Sequence, residues 1–166
     1  MDERRAADVS RYAEGTTVSP ERSQAEISES LRRYGASSYV SGYEDNRAMI
    51  AFRANDRTIR FLLDLPRPGD DEFTWTPTRQ KRRPDGARGA YEAEVRRRWR
   101  ALALAIKAKL EAVATGIASF EDEFLAYTVL PDNTTVGDRV RAEIEAAWRT
   151  GQAPPRLLPQ IEGPKP

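Results

Sequence analysis

The sequence contains no histidine and no cysteine. Without cysteine there is no disulfide framework, no thiolate nucleophile and no cysteine zinc site; without histidine there is no imidazole to act as base, proton shuttle or ligand. The Ser-His-Asp and Cys-His arrangements used by many hydrolases are therefore closed to this chain. Glycine-rich phosphate loops are also missing: neither G-x-x-x-x-G-K nor G-x-G-x-x-G occurs, so nothing points to nucleotide hydrolysis. No apolar run approaches the roughly 18 residues of a membrane span, and Met1 to Ser10 is charged where a signal peptide needs an apolar stretch. The expectation is a cytoplasmic protein with no membrane partner. Net charge is nearly absent too, 27 Lys and Arg standing against 26 Asp and Glu.

What remains is a chain of 166 residues, 39% hydrophobic and 32% charged. That suits one compact domain with a heavily charged surface. Residues 1–18 are charged and small with no apolar period and are expected to be disordered. Ser19-Pro20-Glu21 is a cap, a helix-compatible proline and a first-turn acid, so a helix is predicted over about Pro20 to Tyr34 with Ile27, Leu31 and Tyr34 as its stripe and Gly35 as its stop. The period then becomes alternating. Tyr39 and Val40 fall in a first strand; Ala48, Ile50 and Phe52 share a face of a second; Ile59, Phe61, Leu63 and Leu65 share a face of a third, with turns at Glu44-Asp45-Asn46 and Asn55-Asp56. The other face carries Arg53, Thr58, Arg60 and Asp64 and is expected to be wet or to bind something.

Pro66 to Gly89 reads as a long Pro-, Gly- and charge-rich connection, with Phe73 and Trp75 pinning part of it to the body. From about Ala90 to Thr115 the helical period is strong, Val95, Trp99, Leu102, Ile106, Leu110 and Val113 recurring every three or four residues before Gly116. Ser119 should cap a short helix beginning with Glu121, Asp122 and Glu123, broken at Leu130-Pro131-Asp132-Asn133. Thr135 should cap a last helix with Val140, Ile144 and Trp148 as its stripe and Gly151 as its stop. The predicted fold is α+β: an antiparallel three-stranded meander against a long central helix and three shorter ones, in a single domain over 19–151. Residues 152–166 form a Pro-rich tail whose Leu157, Leu158 and Ile161 are able to dock.

Charge is unevenly spread. Residues 1–78 carry net −3, residues 79–109 net +8 and residues 110–166 net −4. Within the basic segment, Arg79, Lys81, Arg82 and Arg83 precede a helix that carries Arg96, Arg97 and Arg100, and these seven are the candidate phosphate ligands. Arg96 and Arg100, four apart, are expected to face away from the Trp99 stripe. The plain alternative is a solvated helix face paired with the chain's own acids, such as Glu92 and Glu94. No catalytic residue, metal ligand or cofactor is assigned. The Glu121-Asp122-Glu123 cluster with Asp64 would serve a carboxylate-bound metal, but an acid-rich first turn explains the cluster equally. Tyr34, Tyr39 and Tyr43 are able to stack on bases, though tyrosine in strands usually packs.

The segments Arg33-Tyr34-Gly35-Ala36, Arg60-Phe61-Leu62-Leu63-Asp64-Leu65-Pro66, Arg97-Arg98-Trp99-Arg100-Ala101-Leu102, Ile106-Lys107-Ala108-Lys109-Leu110-Glu111, Ser119-Phe120-Glu121-Asp122-Glu123-Phe124-Leu125 and Leu130-Pro131-Asp132 together resemble a family of small tailed-phage and prophage proteins over about Val18 to Leu158. That family has no assigned activity, so the resemblance implies a phage setting, in the cytoplasm of an infected bacterium, and transfers no site. With the +8 segment it leads to the expectation of a non-enzymatic binding protein contacting nucleic-acid phosphates as a replication or recombination accessory. The rival expectation is a counter-defence protein, able to form a homo-oligomer, that inhibits a host immune component or sequesters a nucleotide messenger.

Overall fold

A computed structural model describes residue 13 and residues 15–152. Of the expected disorder over residues 1–18, residues 1–12 and 14 lie outside the described residues, as does the docking of Leu157, Leu158 and Ile161. The first helix, α1, runs Pro20–Arg33, its N-terminus closed by the Ser19 hydroxyl, which accepts from the Arg22 amide at 3.2 Å. Ile27 and Leu31 are buried one turn apart, and Gly35, at φ 87°, turns the chain out of the helix.

Three strands follow, β1 Ser38–Glu44, β2 Arg47–Ala54 and β3 Arg57–Asp64, in an antiparallel sheet of order β1-β2-β3. Both turns have two residues. Asp45 is left-handed in the first, as are Asn55 and Asp56 in the second, a conformation that short polar side chains tolerate. The register then sets the faces: Ala48, Ile50, Phe52, Ile59 and Phe61 are buried, while Val40, Met49, Ala51, Arg60 and Leu62 lie on the opposite, open face.

The predicted structureless connection is partly ordered. One helical turn, α2 (Asp71–Thr74), buries Phe73 edge-on against Tyr91 at 5.7 Å. A bridge between Trp75 and Lys81 then makes a small hairpin. The long helix α3 spans Pro84–Ala114 and starts six residues before the expected Ala90. The apolar period does begin near Tyr91, but Pro84 occupies the first turn with its φ already helical, and residues 84–89, exposed apart from a half-buried Ala87, extend the helix without a core face.

Trp99, Ala103, Ile106 and Leu110 of α3 are buried against α1, the sheet and α4 (Phe120–Phe124), where Phe52, Phe61 and Phe124 make edge-to-face contacts. Helix α4 is shorter than predicted. After Phe124 the chain tightens into a 3-10 turn (Leu125–Tyr127), and Val129 then donates its amide to the Thr58 carbonyl at 2.8 Å. Backbone pairing with the edge of β3 therefore ends the helix before Pro131 does. The last helix, α5 (Val136–Thr150), has the expected Thr135 cap, a reciprocal capping box with Asp138 and a left-handed Gly151 at its end. Its stripe is not core: no α5 residue is buried, and Trp148 is 86% exposed. Among the described residues no helix is long and apolar enough to cross a membrane.

Candidate nucleic-acid interface

The seven candidate cations do not form one patch. Arg83 immediately precedes α3, and Arg96 lies thirteen residues further on, about 20 Å along the axis at 1.5 Å per residue. The two groups also differ in how they are neutralised. Glu94, whose side chain is only 16% exposed, receives hydrogen bonds from Arg97 at 2.6 and 2.7 Å and from Arg98 at 2.8 Å. Arg98 also donates to the Asp64 carbonyl at the end of β3. Burial pushes the Glu94 carboxyl up, but the hydrogen bonds from Arg97 and Arg98 outweigh it and hold the group below its ordinary value. Arg100 pairs with Glu26 of α1 across the α1–α3 seam.

The expectation that Arg100 faces away from the Trp99 stripe, or that it or Arg96 pairs with Glu94, is therefore corrected. Glu94 belongs to Arg97 and Arg98, and Arg100 ties two helices together. The physical reason is helical geometry. Arg100 follows Trp99 by one residue, 100° around the axis, which places it beside the buried stripe, where α1 packs. Of the four, only Arg96 has no acceptor among the described residues.

The other group has no carboxylate partner among the described residues. Among the described residues, the side chains of Arg79, Lys81, Arg82 and Arg83 make no hydrogen bond or ion pair, and Arg82 Nε is shielded from solvent without a partner. Backbone bonds hold their frame: Thr76 and Arg82 donate to the Gln80 and Thr74 carbonyls, and Arg79 to Thr76, each at 2.8 Å. Pro77 sets the turn and Arg79 is left-handed at φ 59°, an uncommon place for a branched-off cation. Arg83 gives α3 no side-chain cap, so the first amides of a 31-residue helix face the same basic segment.

Trp75 is the residue that the sequence reading misplaced. Phe73 pins the segment as expected, but Trp75 is 43% exposed and lies directly across the hairpin from Lys81. The available signal was its setting, Thr74-Trp75-Thr76-Pro77-Thr78, which offers a large aromatic ring no apolar neighbour. Tyr34, Tyr39 and Tyr43 lie elsewhere, Tyr43 resting edge-on against Trp99 at 6.1 Å.

Three of the four acids considered for a metal are engaged individually: Asp64 with Arg47 at 2.7 Å, Asp122 with the Ser119 hydroxyl at 2.6 Å and Glu123 with Lys109 at 3.2 Å. Among the described residues no group of three or more Asp or Glu side chains is arranged to hold a metal ion. A half-open cavity of about 340 Å³ lies between the start of α1, the β1–β2 turn and Pro66–Pro68, with Tyr43, Tyr91 and Trp99 in its wall. Arg67 faces it, as do Glu21 and Asp45. Two carboxylates against one guanidinium make it a poor receptor for phosphate. Compared with protein-family models, curated proteins and solved structures, the chain has no match in any of the three.

Proposed function

We propose that the protein is a non-enzymatic binder of single-stranded nucleic acid, using the Trp75–Lys81 hairpin and the basic start of α3, as a phage replication or recombination accessory. The observation that carries this reading is an exposed Trp75 paired with Lys81 on a hairpin whose Arg79, Lys81, Arg82 and Arg83 have no acceptor among the described residues. An aromatic ring offers a stacking platform to any base, and neighbouring cations follow the phosphates; single strands need both. The phage setting comes from the sequence resemblance alone. The rival reading, capture of a nucleotide messenger, draws no support from the cavity lined by Tyr43, Tyr91 and Trp99, where Glu21 and Asp45 repel phosphate.

The test is fluorescence anisotropy of labelled single-stranded and duplex oligonucleotides at several salt concentrations. Single strands should bind more tightly, and four phosphate contacts should give a log–log salt slope of about −3. Trp75→Ala should weaken binding by about 5- to 150-fold, equivalent to 1–3 kcal/mol for one stacked base. Lys81→Ala should lower the slope by about 0.7. No binding at low salt, or affinity indifferent to both substitutions, would overturn the proposal.

A further inference from the structure

The two edges of the sheet are not alike. The outer edge of β3 is met by Thr128 and Val129, which bridge to it. The outer edge of β1 has no backbone partner among the described residues. Sheet edges are ordinarily protected by proline, by lysine or arginine, by a bulge or by brevity. Strand β1, Ser38-Tyr39-Val40-Ser41-Gly42-Tyr43-Glu44, is seven residues long, keeps unbroken register with β2 and contains no proline and no cation.

Its geometry is self-complementary. The two-residue turn makes Glu44 and Arg47 the closing hydrogen-bonded pair, so Ser38, Val40, Gly42 and Glu44 bond inward to β2. Tyr39, Ser41 and Tyr43 turn their N–H and C=O groups outward. We propose that β1 pairs with β1 of a second copy about a two-fold axis at Ser41, joining two meanders into one six-stranded antiparallel sheet. In that register Ser41 meets Ser41 and Tyr39 meets Tyr43, so all three outward residues are hydrogen-bonded.

The open face fits the same register. Val40, 56% exposed, comes opposite Gly42 of the other copy. A Cβ at Gly42 would meet nothing within 4 Å, and Gly42 lines an open hollow of about 410 Å³ with Met49 and Leu62. Each Val40 thus enters the hollow of the opposite copy, reciprocally. Charges agree as well. Glu44 comes opposite Ser38 of the other copy, whose own neighbour is Arg53, about 10 Å away across two strand spacings and within reach of the two side chains over a small serine. Glu44 has no ion pair among the described residues, and Arg53 has only a loose contact of 4.0 Å with the 94%-exposed Asp56.

Sedimentation across the micromolar to millimolar range should show the 18.7 kDa chain as a dimer. Ser41→Pro removes an outward amide without touching the β1–β2 ladder and should give a folded monomer. Glu44→Arg should weaken the dimer about tenfold or more, and adding Arg53→Glu should restore it, a rescue that holds even if the proline variant fails to fold. The chain lacks cysteine, so Ser41→Cys should oxidise to a covalent dimer, because partners in a hydrogen-bonded pair have Cα atoms about 5.5 Å apart. Ser38→Cys should not. A wild-type monomer at every concentration, a dimer indifferent to these changes, or equal cross-linking at both positions would overturn the proposal.

Discussion

Arg79 shows how a single residue sets chemistry against conformation. It holds φ 59° in the hairpin turn, where glycine would be unstrained. Arg79→Gly should therefore keep stability or raise it by up to about 1 kcal/mol, while lowering affinity for single-stranded oligonucleotide. Unchanged affinity would make Arg79 a turn residue and nothing more. Glu94 makes the opposite point, because its arginines are spent on structure. Its carboxyl lies below the ordinary 4.5 when folded, so the stability that it contributes is fully present above 4.5 and is lost as pH falls through the folded value. Glu94→Gln should lower the melting temperature at neutral pH and flatten its decline in acid. An acid limb of unchanged steepness would assign that limb to other carboxylates.

At the scale of elements, capping signals read well because they are local. Ser19, Ser119 and Thr135 each cap the helix expected of them. Helix extents were less legible. Helix α3 begins at Pro84 rather than near Ala90 because a proline in the first turn starts a helix regardless of which side is buried, and α4 stops at Phe124 because Val129 pairs with β3. The start of α5 is tied down by the Val136 amide, which donates to the Thr128 carbonyl at 3.0 Å, and by one close approach: a Cβ at Gly137 would lie 2.8 Å from the Ala126 carbonyl oxygen. Gly137→Ala should cost about 1–3 kcal/mol locally. Hydrogen exchange over residues 136–150 should accelerate while the sheet stays protected; unaltered exchange there would show that this seam does not hold α5.

Across the whole molecule, one apolar cluster joins Ile27 and Leu31, the inner face of the sheet, Trp99 through Leu110, and Phe120 with Phe124. Trp99 is 1% exposed at its centre. Trp99→Ala should cost about 3–5 kcal/mol and lower a single cooperative unfolding transition; a soluble variant of normal melting temperature would remove Trp99 from the core. The composition, the alternation of period and the cap residues determined by themselves the α+β architecture, the order of three antiparallel strands and the core stripe of α3. Each depends on neighbours within a turn or a hairpin. Only the tertiary structure decided which arginines are paired with carboxylates, because the partner of Arg100 is Glu26, 74 residues away. It also decided that Trp75 faces solvent and that β1 has an open edge. Exposure and pairing belong to surfaces assembled from distant segments, and no local period encodes them.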